Sequence, residues 1–164
     1  MRRFASGYAY MPLYICVKIF HSLRMQPTLI FWPVFGMFVL VTLVVMRLAT
    51  LRFNIVKNKK INLDYYKLMR GDTEPDLLIA AARNLANLFE MPVLFYVVVF
   101  VIFSTGHVDS AMLLFSWLYV AFRAGHSFVH LTSNHVMTRF RLYFLSNICL
   151  MVLWVRTFWL MMRN

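Results

Sequence analysis

Polar side chains interrupt an apolar run in the segment 81–92, AARNLANLFEMP. Arg83, Asn87 and Glu90 are four and three residues apart, so an α-helix places them on one face, with Asn84 about a quarter-turn away. A charged residue at the centre of a membrane costs about 2.5–3.5 kcal/mol, and such residues mark functional sites by default. The spacing therefore predicts a polar face that meets a ligand or other polar groups.

Matching polar residues occur in the next two apolar segments. The third segment carries one helical face made of Arg123, His126, His130 and Asn134. The fourth segment opens with Arg139, Arg141 and Tyr143, of which Arg139 and Tyr143 are four residues apart. Counted from the ends of their helices, all three faces fall in the same half of a bundle. We therefore expect them to point inward, to one another or to a ligand.

The sign of the charge in this predicted cluster indicates which class of ligand it would bind. Arg83, Arg123 and Arg139 stand against one carboxylate, that of Glu90. Such a pocket is net positive, so an anionic ligand would complete it. The planar guanidinium binds carboxylate or phosphate through two parallel hydrogen bonds.

Structural roles are an alternative for the same residues. Glu90 with Arg83 or with Arg123 would form a buried ion pair that only fixes the register of the helices. Asn84 and Asn134 are the expected helix–helix hydrogen-bonding residues. Two further arginines are expected to extend to the membrane interfaces, namely Arg141 and Arg156.

A metal centre is the rival chemistry. His126 and His130 have the i, i+4 spacing of two ligands on one helix face, and Glu90 would be the third ligand. This spacing is common by chance, and the neighbouring arginines would repel a cation. We therefore expect no metal ligand among these residues.

Long apolar segments must position the polar residues. The chain of 164 residues is 62% hydrophobic and only 14% charged, against about 25% charged in soluble domains. Four segments are long enough to cross a membrane, at about 28–51, 77–103, 110–131 and 142–162. None alternates with a period of two, so we predict an all-α integral membrane protein, a four-helix bundle with up-down topology. Asp76 is a candidate N-cap for the second helix.

The net charge of +11 follows from the connections rather than from nucleic-acid binding. The first connection contains Lys57, Lys59, Lys60, Lys67 and Arg70, with Arg52 at its edge, and the third is followed by Arg139 and Arg141. The second connection, STGHVDS, has neither Lys nor Arg. Basic loops stay cytoplasmic, so connections one and three should face the cytoplasm and both termini the opposite side. Basic loops also attract anionic membrane lipids, and the short loops favour a bacterial inner membrane.

The first 24 residues differ in pattern from the membrane domain predicted at 25–164. They have a basic start and an apolar middle that Lys18 interrupts, and no clear small-residue cleavage site follows. We interpret them as an N-terminal extension, either an interfacial helix or a mis-annotated start upstream of Met25. Cys16 and Cys149 are expected to be buried thiols rather than a disulfide.

The quoted residues resemble a known family, the membrane-associated proteins in eicosanoid and glutathione metabolism, MAPEG. Its second helix carries an Arg-x-x-x-Asn-x-x-Glu pattern followed by proline, which Arg83, Asn87, Glu90 and Pro92 match. The spacing of Arg123, His126, Arg139 and Tyr143 is similar to that of its prostaglandin E synthase branch. The opening QPTLIFWPVF…RLATLRF looks like that of bacterial members. The resemblance covers about 28–162.

This resemblance implies a homotrimer that binds glutathione between neighbouring subunits on the cytoplasmic side. Arg139 would hold the sulfur as thiolate, with Tyr143 as the second catalytic residue. The residues implied to bind the cosubstrate are Arg52, Arg83, Asn87, Glu90, Arg123, His126 and His130. The implied activity is that of a glutathione transferase or peroxidase acting on a lipophilic electrophile. The family also contains a non-enzymatic lipid-binding member, so a non-catalytic protein that binds a lipid or an anion is the alternative.

Overall fold

Helices make up almost all of the structure, a computed structural model. It describes residues 26–58, 61, 62, 64–69, 71, 73–106 and 108–163. A 3₁₀ turn at Pro27–Ile30 leads into α1. The helices are α1 at Phe31–Lys57, α2 at Tyr65–Leu68, α3 at Asp76–Ser104, α4 at Ser110–Leu131 and α5 at Val136–Met162. The predicted N-terminal extension lies outside the described residues, as does Cys16. Cys149 is buried, as expected.

Four of these helices are long and apolar enough to cross a membrane, namely α1, α3, α4 and α5. This confirms the all-helical prediction with four such segments. Two boundaries differ from the sequence-based ones by six residues. Helix α1 continues to Lys57, so Arg52 lies within it rather than at the edge of a loop. Helix α5 starts at Val136, so Arg139 belongs to its first turn.

Side-chain contacts give the direction of each helix. The Phe31 and Phe103 rings lie 4.8 Å apart, which joins the start of α1 to the end of α3. Along α3 and α4, Asn84 meets Ser127 and the Phe95 ring stacks on Tyr119 at 4.4 Å. Residue numbers therefore rise along one helix as they fall along its neighbour. These contacts give the predicted up-down order.

The predicted N-cap of α3 is wrong. Pro75 occupies the cap position with an extended backbone, and Asp76 is the first helical residue without a side-chain capping bond. The ψ of Pro75 is 145°, outside the helical region, so the helix begins at the next residue. The Asp76 carboxylate still lies in the first turn, where the helix dipole favours a negative charge.

The turn between α4 and α5 shows why Asn134 leaves the polar face of α4. Helix α4 ends at Leu131, and Asn134 adopts a left-handed backbone conformation with φ of 50°. Its N–H donates to the carbonyl of Val129 at 2.8 Å, which closes the end of the helix. Asparagine tolerates this conformation better than most residues. The turn brings the first residues of α5 back beside the last turn of α4.

Asp109 ties α4 to α5 at the opposite end of the hairpin. One of its oxygens, Oδ1, accepts the N–H of Met112 at 2.8 Å and caps α4. The other, Oδ2, accepts from both Nε and Nη2 of Arg156, at 2.9 and 2.6 Å. Arg156 was expected only to extend to the interface, so this ion pair is an unexpected finding.

We expect Asp109→Ala to lower the free energy of unfolding by about 1–3 kcal/mol, because a helix cap and a charge-assisted bond are lost together. The matched control is Asp64→Ala, which removes an ion pair with Lys67 whose side chains are 69% and 76% exposed. Such an exposed pair contributes at most about 1 kcal/mol. Unfolding of both variants in mixed detergent micelles measures the difference, and equal losses would contradict the assigned role of Asp109.

Candidate functional site

Arg139 is the centre of the polar cluster at the α4–α5 turn. Its Nη1 donates to Nε2 of His130 at 3.2 Å and to Oδ1 of Asn134 at 2.6 Å. A guanidinium only donates, so His130 accepts at Nε2 and carries its ring proton on Nδ1. Both partners are neutral and leave the positive charge uncancelled. Nε and Nη2 make no hydrogen bond to any described residue and remain available for a ligand.

His126 fixes the backbone on which Arg139 sits. Its Nδ1 lies 3.0 Å from the carbonyl oxygen of Arg139, which can only accept, so Nδ1 bears the proton. The His126 ring also packs 5.6 Å from the His130 ring and 5.7 Å from the Tyr143 ring. Both histidines are buried. The cluster is therefore a pre-positioned arrangement in which α4 side chains orient the first two turns of α5.

Arg123 is a fully enclosed cation, with 0% of its surface exposed. Its guanidinium carbon lies 5.4 Å from the centre of the Tyr119 ring and 4.8 Å from that of Tyr143. None of its three side-chain nitrogens has a hydrogen-bond partner among the described residues. Cation–π contacts contribute about 2 kcal/mol each when water is excluded. A positive charge thus lies directly behind Tyr143, and no carboxylate of a described residue pairs with it.

The polar face of α3 is not enclosed with this cluster inside the chain, although the charge of Arg83 still acts on His130. Arg83 and Glu90 are exposed on the surface of the single chain, and Asn87 is half-buried. The inward face of α3 is instead the apolar stripe that includes Leu88 and Phe95, so burial of that stripe turns the charged residues outward. The expectation that all three polar faces are enclosed together inside one chain is therefore wrong for Glu90, which is exposed, whereas Arg83 lies close enough for its charge to act on His130.

Asn84 behaves as expected for a helix–helix hydrogen-bonding residue. It is fully buried, and its Oδ1 accepts from Oγ of Ser127 on α4 at 3.1 Å. The ion pairs considered as an alternative, Glu90 with Arg83 or with Arg123, are not formed within the described part of the chain, where the pairs are Lys67–Asp64 and Arg156–Asp109.

Glu90 lies near the middle of α3, roughly 20 Å along the helix from Asp76. An exposed carboxylate at that depth is costly in a lipid environment. Covering this face with a second protein surface or a ligand would remove that cost.

Arg52 belongs to a separate groove on the other flank of α3. The groove has a volume of about 460 Å³. Its lining is Val45, Leu48, Ala49, Arg52, Phe53, Val56, Tyr66 and Leu85. Nε of Arg52 and Oη of Tyr66 are buried there without a hydrogen-bond partner among the described residues. Burial, followed by the charge of Glu74, raises the pKa of Tyr66, so the phenol stays a hydrogen-bond donor.

Helical phase separates this groove from the polar face. Leu85, which lines the groove, is two residues away from both Arg83 and Asn87. Two residues correspond to about 200° around an α-helix, so Leu85 lies nearly opposite the polar face. One chain therefore presents Arg52 on one flank of α3 and the Arg83 face on nearly the opposite flank.

The metal alternative finds no assembled site. No group of three or more His, Cys, Asp or Glu side chains close enough to hold a metal ion occurs among the described residues. His126 and His130 are adjacent inside the chain, whereas Glu90 is exposed on its outer surface.

Sequence reasoning missed Tyr119 and Asp109. Tyr119 precedes Arg123 by four residues, so helical spacing would have indicated their contact. Asp109 directly precedes an apolar helix, which is the signal of an N-cap. Its long-range pairing with Arg156 has no signal in the local sequence.

Comparisons with known proteins give a single result. The model of the MAPEG family matches residues 28–159, which is most of the chain. No curated protein and no solved structure gives a significant match.

Proposed function

Since the chain belongs to the MAPEG family, we propose that it is a membrane-bound glutathione-dependent transferase or peroxidase. The family includes such enzymes and also non-catalytic members. As a transferase, it would join the glutathione sulfur to a lipophilic electrophile, whose leaving group departs with the bonding electrons. The thiol proton passes to water, because the nucleophile is the thiolate. As a peroxidase, it would use two glutathione molecules to reduce a lipid hydroperoxide to the alcohol and water, and the two thiols would be oxidised to the disulfide.

The state of Arg139 is the observation that carries this proposal. Its guanidinium is held by two neutral acceptors, and its other two nitrogens have no hydrogen-bond partner in the part of the chain that the structure describes. A cation within hydrogen-bonding distance of a thiol favours the thiolate form. We assign the sulfur to these two nitrogens and expect Tyr143, one turn further along α5, to face the same reactants.

The enclosed residues have a supporting part in this proposal. His130 and His126 orient Arg139 through its side chain and its backbone, respectively. Arg123 adds positive charge behind Tyr143. Direct contact of these three residues with the cosubstrate stays a prediction, since their side chains are buried in the single chain.

A homotrimer is part of the proposal. The outward face with Arg83, Asn87 and Glu90 would hold the tripeptide from one subunit, while Arg52 of a neighbour binds a glutathione carboxylate. Such an arrangement covers the Glu90 carboxylate, which lies exposed at mid-membrane depth in one chain. It also brings the Arg52 groove of one subunit to the Arg83 face of the next, although the two lie on opposite flanks of α3 within one chain.

We place the glutathione site on the cytoplasmic side. The basic connection after α1 and the α4–α5 turn would lie there, and the membrane would be the bacterial inner membrane. The second substrate would enter from the bilayer, because the outer surface of the helices is apolar.

Ultraviolet spectroscopy of the purified protein tests the function. Addition of glutathione should produce thiolate absorbance at neutral pH, and S-methylglutathione should not, because its sulfur has no proton to lose. Conjugation of an aryl halide should accompany the signal. A protein that gives neither signal nor product is not a glutathione transferase.

The apolar groove beside Arg52 favours one alternative, a non-catalytic protein that binds an anionic lipid. Its lining contains only two polar side chains, Arg52 and Tyr66. Under this alternative a fatty acid would stabilise the protein against heat and glutathione would not. The reverse pattern is expected for the transferase.

A further inference from the structure

A second groove lies between α4 and α5, at the end of the hairpin remote from Arg139. Its volume is about 430 Å³. The lining residues are Ala111, Phe115, Ile148, Met151, Val152, Val155, Arg156 and Trp159. Neither the resemblance nor the proposed function uses this groove.

The length of the groove matches one leaflet of a membrane. The α5 residues that line it extend from Ile148 to Trp159, or about 16 Å along the helix axis. The hydrocarbon core of a bilayer is about 30 Å thick. Ile148 lies at the middle of α5, so the groove extends from the expected membrane centre to one interface. A single acyl chain of a lipid has about this length.

The shape of the groove follows from residue size. Ala111 is the smallest lining residue and lies in the first turn of α4, with Phe115 one turn further. Across from them, Ile148, Met151 and Val155 are exposed at helical spacing along α5. A small residue opposite a row of larger ones leaves an open channel rather than a packed interface.

Cationic and aromatic groups meet at the interfacial end. Arg156 has two of its nitrogens bound to Asp109, and its Nη1 has no partner among the described residues. The Arg163 guanidinium carbon lies 4.4 Å from the centre of the Trp159 ring. Two described guanidinium groups stand against one carboxylate here, so the end of the groove complements a negative group. Arginine binds phosphate oxygens well, and tryptophan favours the headgroup level of a membrane.

We propose that this groove is a phospholipid-binding site. One acyl chain lies along Ile148–Val155, and the headgroup phosphate contacts Arg163 and the free Nη1 of Arg156. The occupant is a membrane phospholipid, recognised by its phosphate as well as by its chain. The proposal does not depend on glutathione binding.

Native mass spectrometry of the detergent-purified full chain tests the site. Dioleoylphosphatidylglycerol and dioleoylglycerol carry the same acyl chains, but only the first has a phosphate. We expect the phospholipid to be retained about tenfold more strongly, the change that one charge-assisted hydrogen bond produces. Equal retention of the two lipids would overturn phosphate recognition.

Groove filling gives the second arm. Ala111→Leu should abolish retention of the phospholipid by occupying the channel. The matched control is Ala49→Leu, which fills the other groove beside Arg52 and should leave retention unchanged. Undiminished retention in Ala111→Leu, or the same loss in both variants, would overturn the assignment of the lipid to this groove.

Charge removal gives the third arm and uses an exposed residue, so that folding is preserved. Arg163→Gln should remove the preference for phospholipid over diacylglycerol, whereas Arg141→Gln near the opposite membrane face should keep it. If Ala111→Leu instead changes the oligomer mass in solution, the groove is an interface between copies and the lipid assignment is wrong.

Discussion

Arg139→Ala is expected to abolish the glutathione thiolate signal and to lower kcat/KM for conjugation by about 100- to 1000-fold, the loss seen when one charge-stabilising donor is removed from an active site. The reason is geometric as well as electrostatic. His130 and Asn134 hold Nη1 of Arg139, so its other nitrogens are fixed before the ligand arrives. Spectroscopy and steady-state kinetics on the same preparation measure both effects.

Arg141→Ala is the matched control for this experiment. Arg141 is exposed and lies two residues further, about 200° around α5, so it points away from the α4–α5 cluster. Its loss should leave the signal intact. If Arg139→Ala retains thiolate absorbance while Arg141→Ala loses it, the wrong arginine has been assigned. Light scattering should show the same oligomer mass for both variants.

The fold was largely predictable because apolar length is a strong signal. Each span had to exceed about 20 residues to cross a bilayer, and the four helices cover the four predicted segments. The helix ends were less predictable. Helix α5 begins six residues before the predicted residue 142, because polar residues such as Arg139 continue a helix beyond the apolar core.

The cluster around Arg139 was also predictable, because it forms between neighbours in the chain. Helical spacing placed His126 and His130 on one face, and a short turn had to bring Arg139 beside them. The orientation of α3 was not predictable in the same way. A polar stripe next to an apolar stripe can face the interior of one chain or the surface of another. Only the packing of α3 against α1 and α4 decides which of these two surfaces the polar stripe faces.

Arg83 faces outward, so the second large effect is expected when variants of Arg52 and Arg83 assemble into one oligomer. Arg52→Ala and Arg83→Ala should each lower kcat/KM for glutathione by about 10- to 100-fold, because each removes a charge-assisted hydrogen bond. We expect co-expression of the two variants in equal amounts to restore about a quarter of the wild-type activity. In a closed oligomer with one site per interface, random assembly gives a quarter of the interfaces both intact arginines.

The control mixture combines the wild-type chain with an Arg52→Ala/Arg83→Ala double variant. It contains the same total number of each arginine, so composition alone cannot explain a difference between the two mixtures. A site between copies predicts about a quarter of full activity in both mixtures. A site within one chain predicts none in the first mixture and about half in the second. Capture of one tagged variant together with the other confirms that the chains mix.

Equal recovery of activity in both mixtures would show that Arg52 and Arg83 act from different subunits, as their positions on opposite flanks of α3 predict. Arg52 and the Arg83 face lie on nearly opposite flanks of α3, and a helix of this length cannot rotate one flank onto the other without exposing its buried stripe. Loss of recovery in the first mixture, with half activity in the control, would instead require both arginines to reach one ligand from the same chain. The proposed site between subunits would then be wrong, whereas the role of Arg139 would stand unchanged.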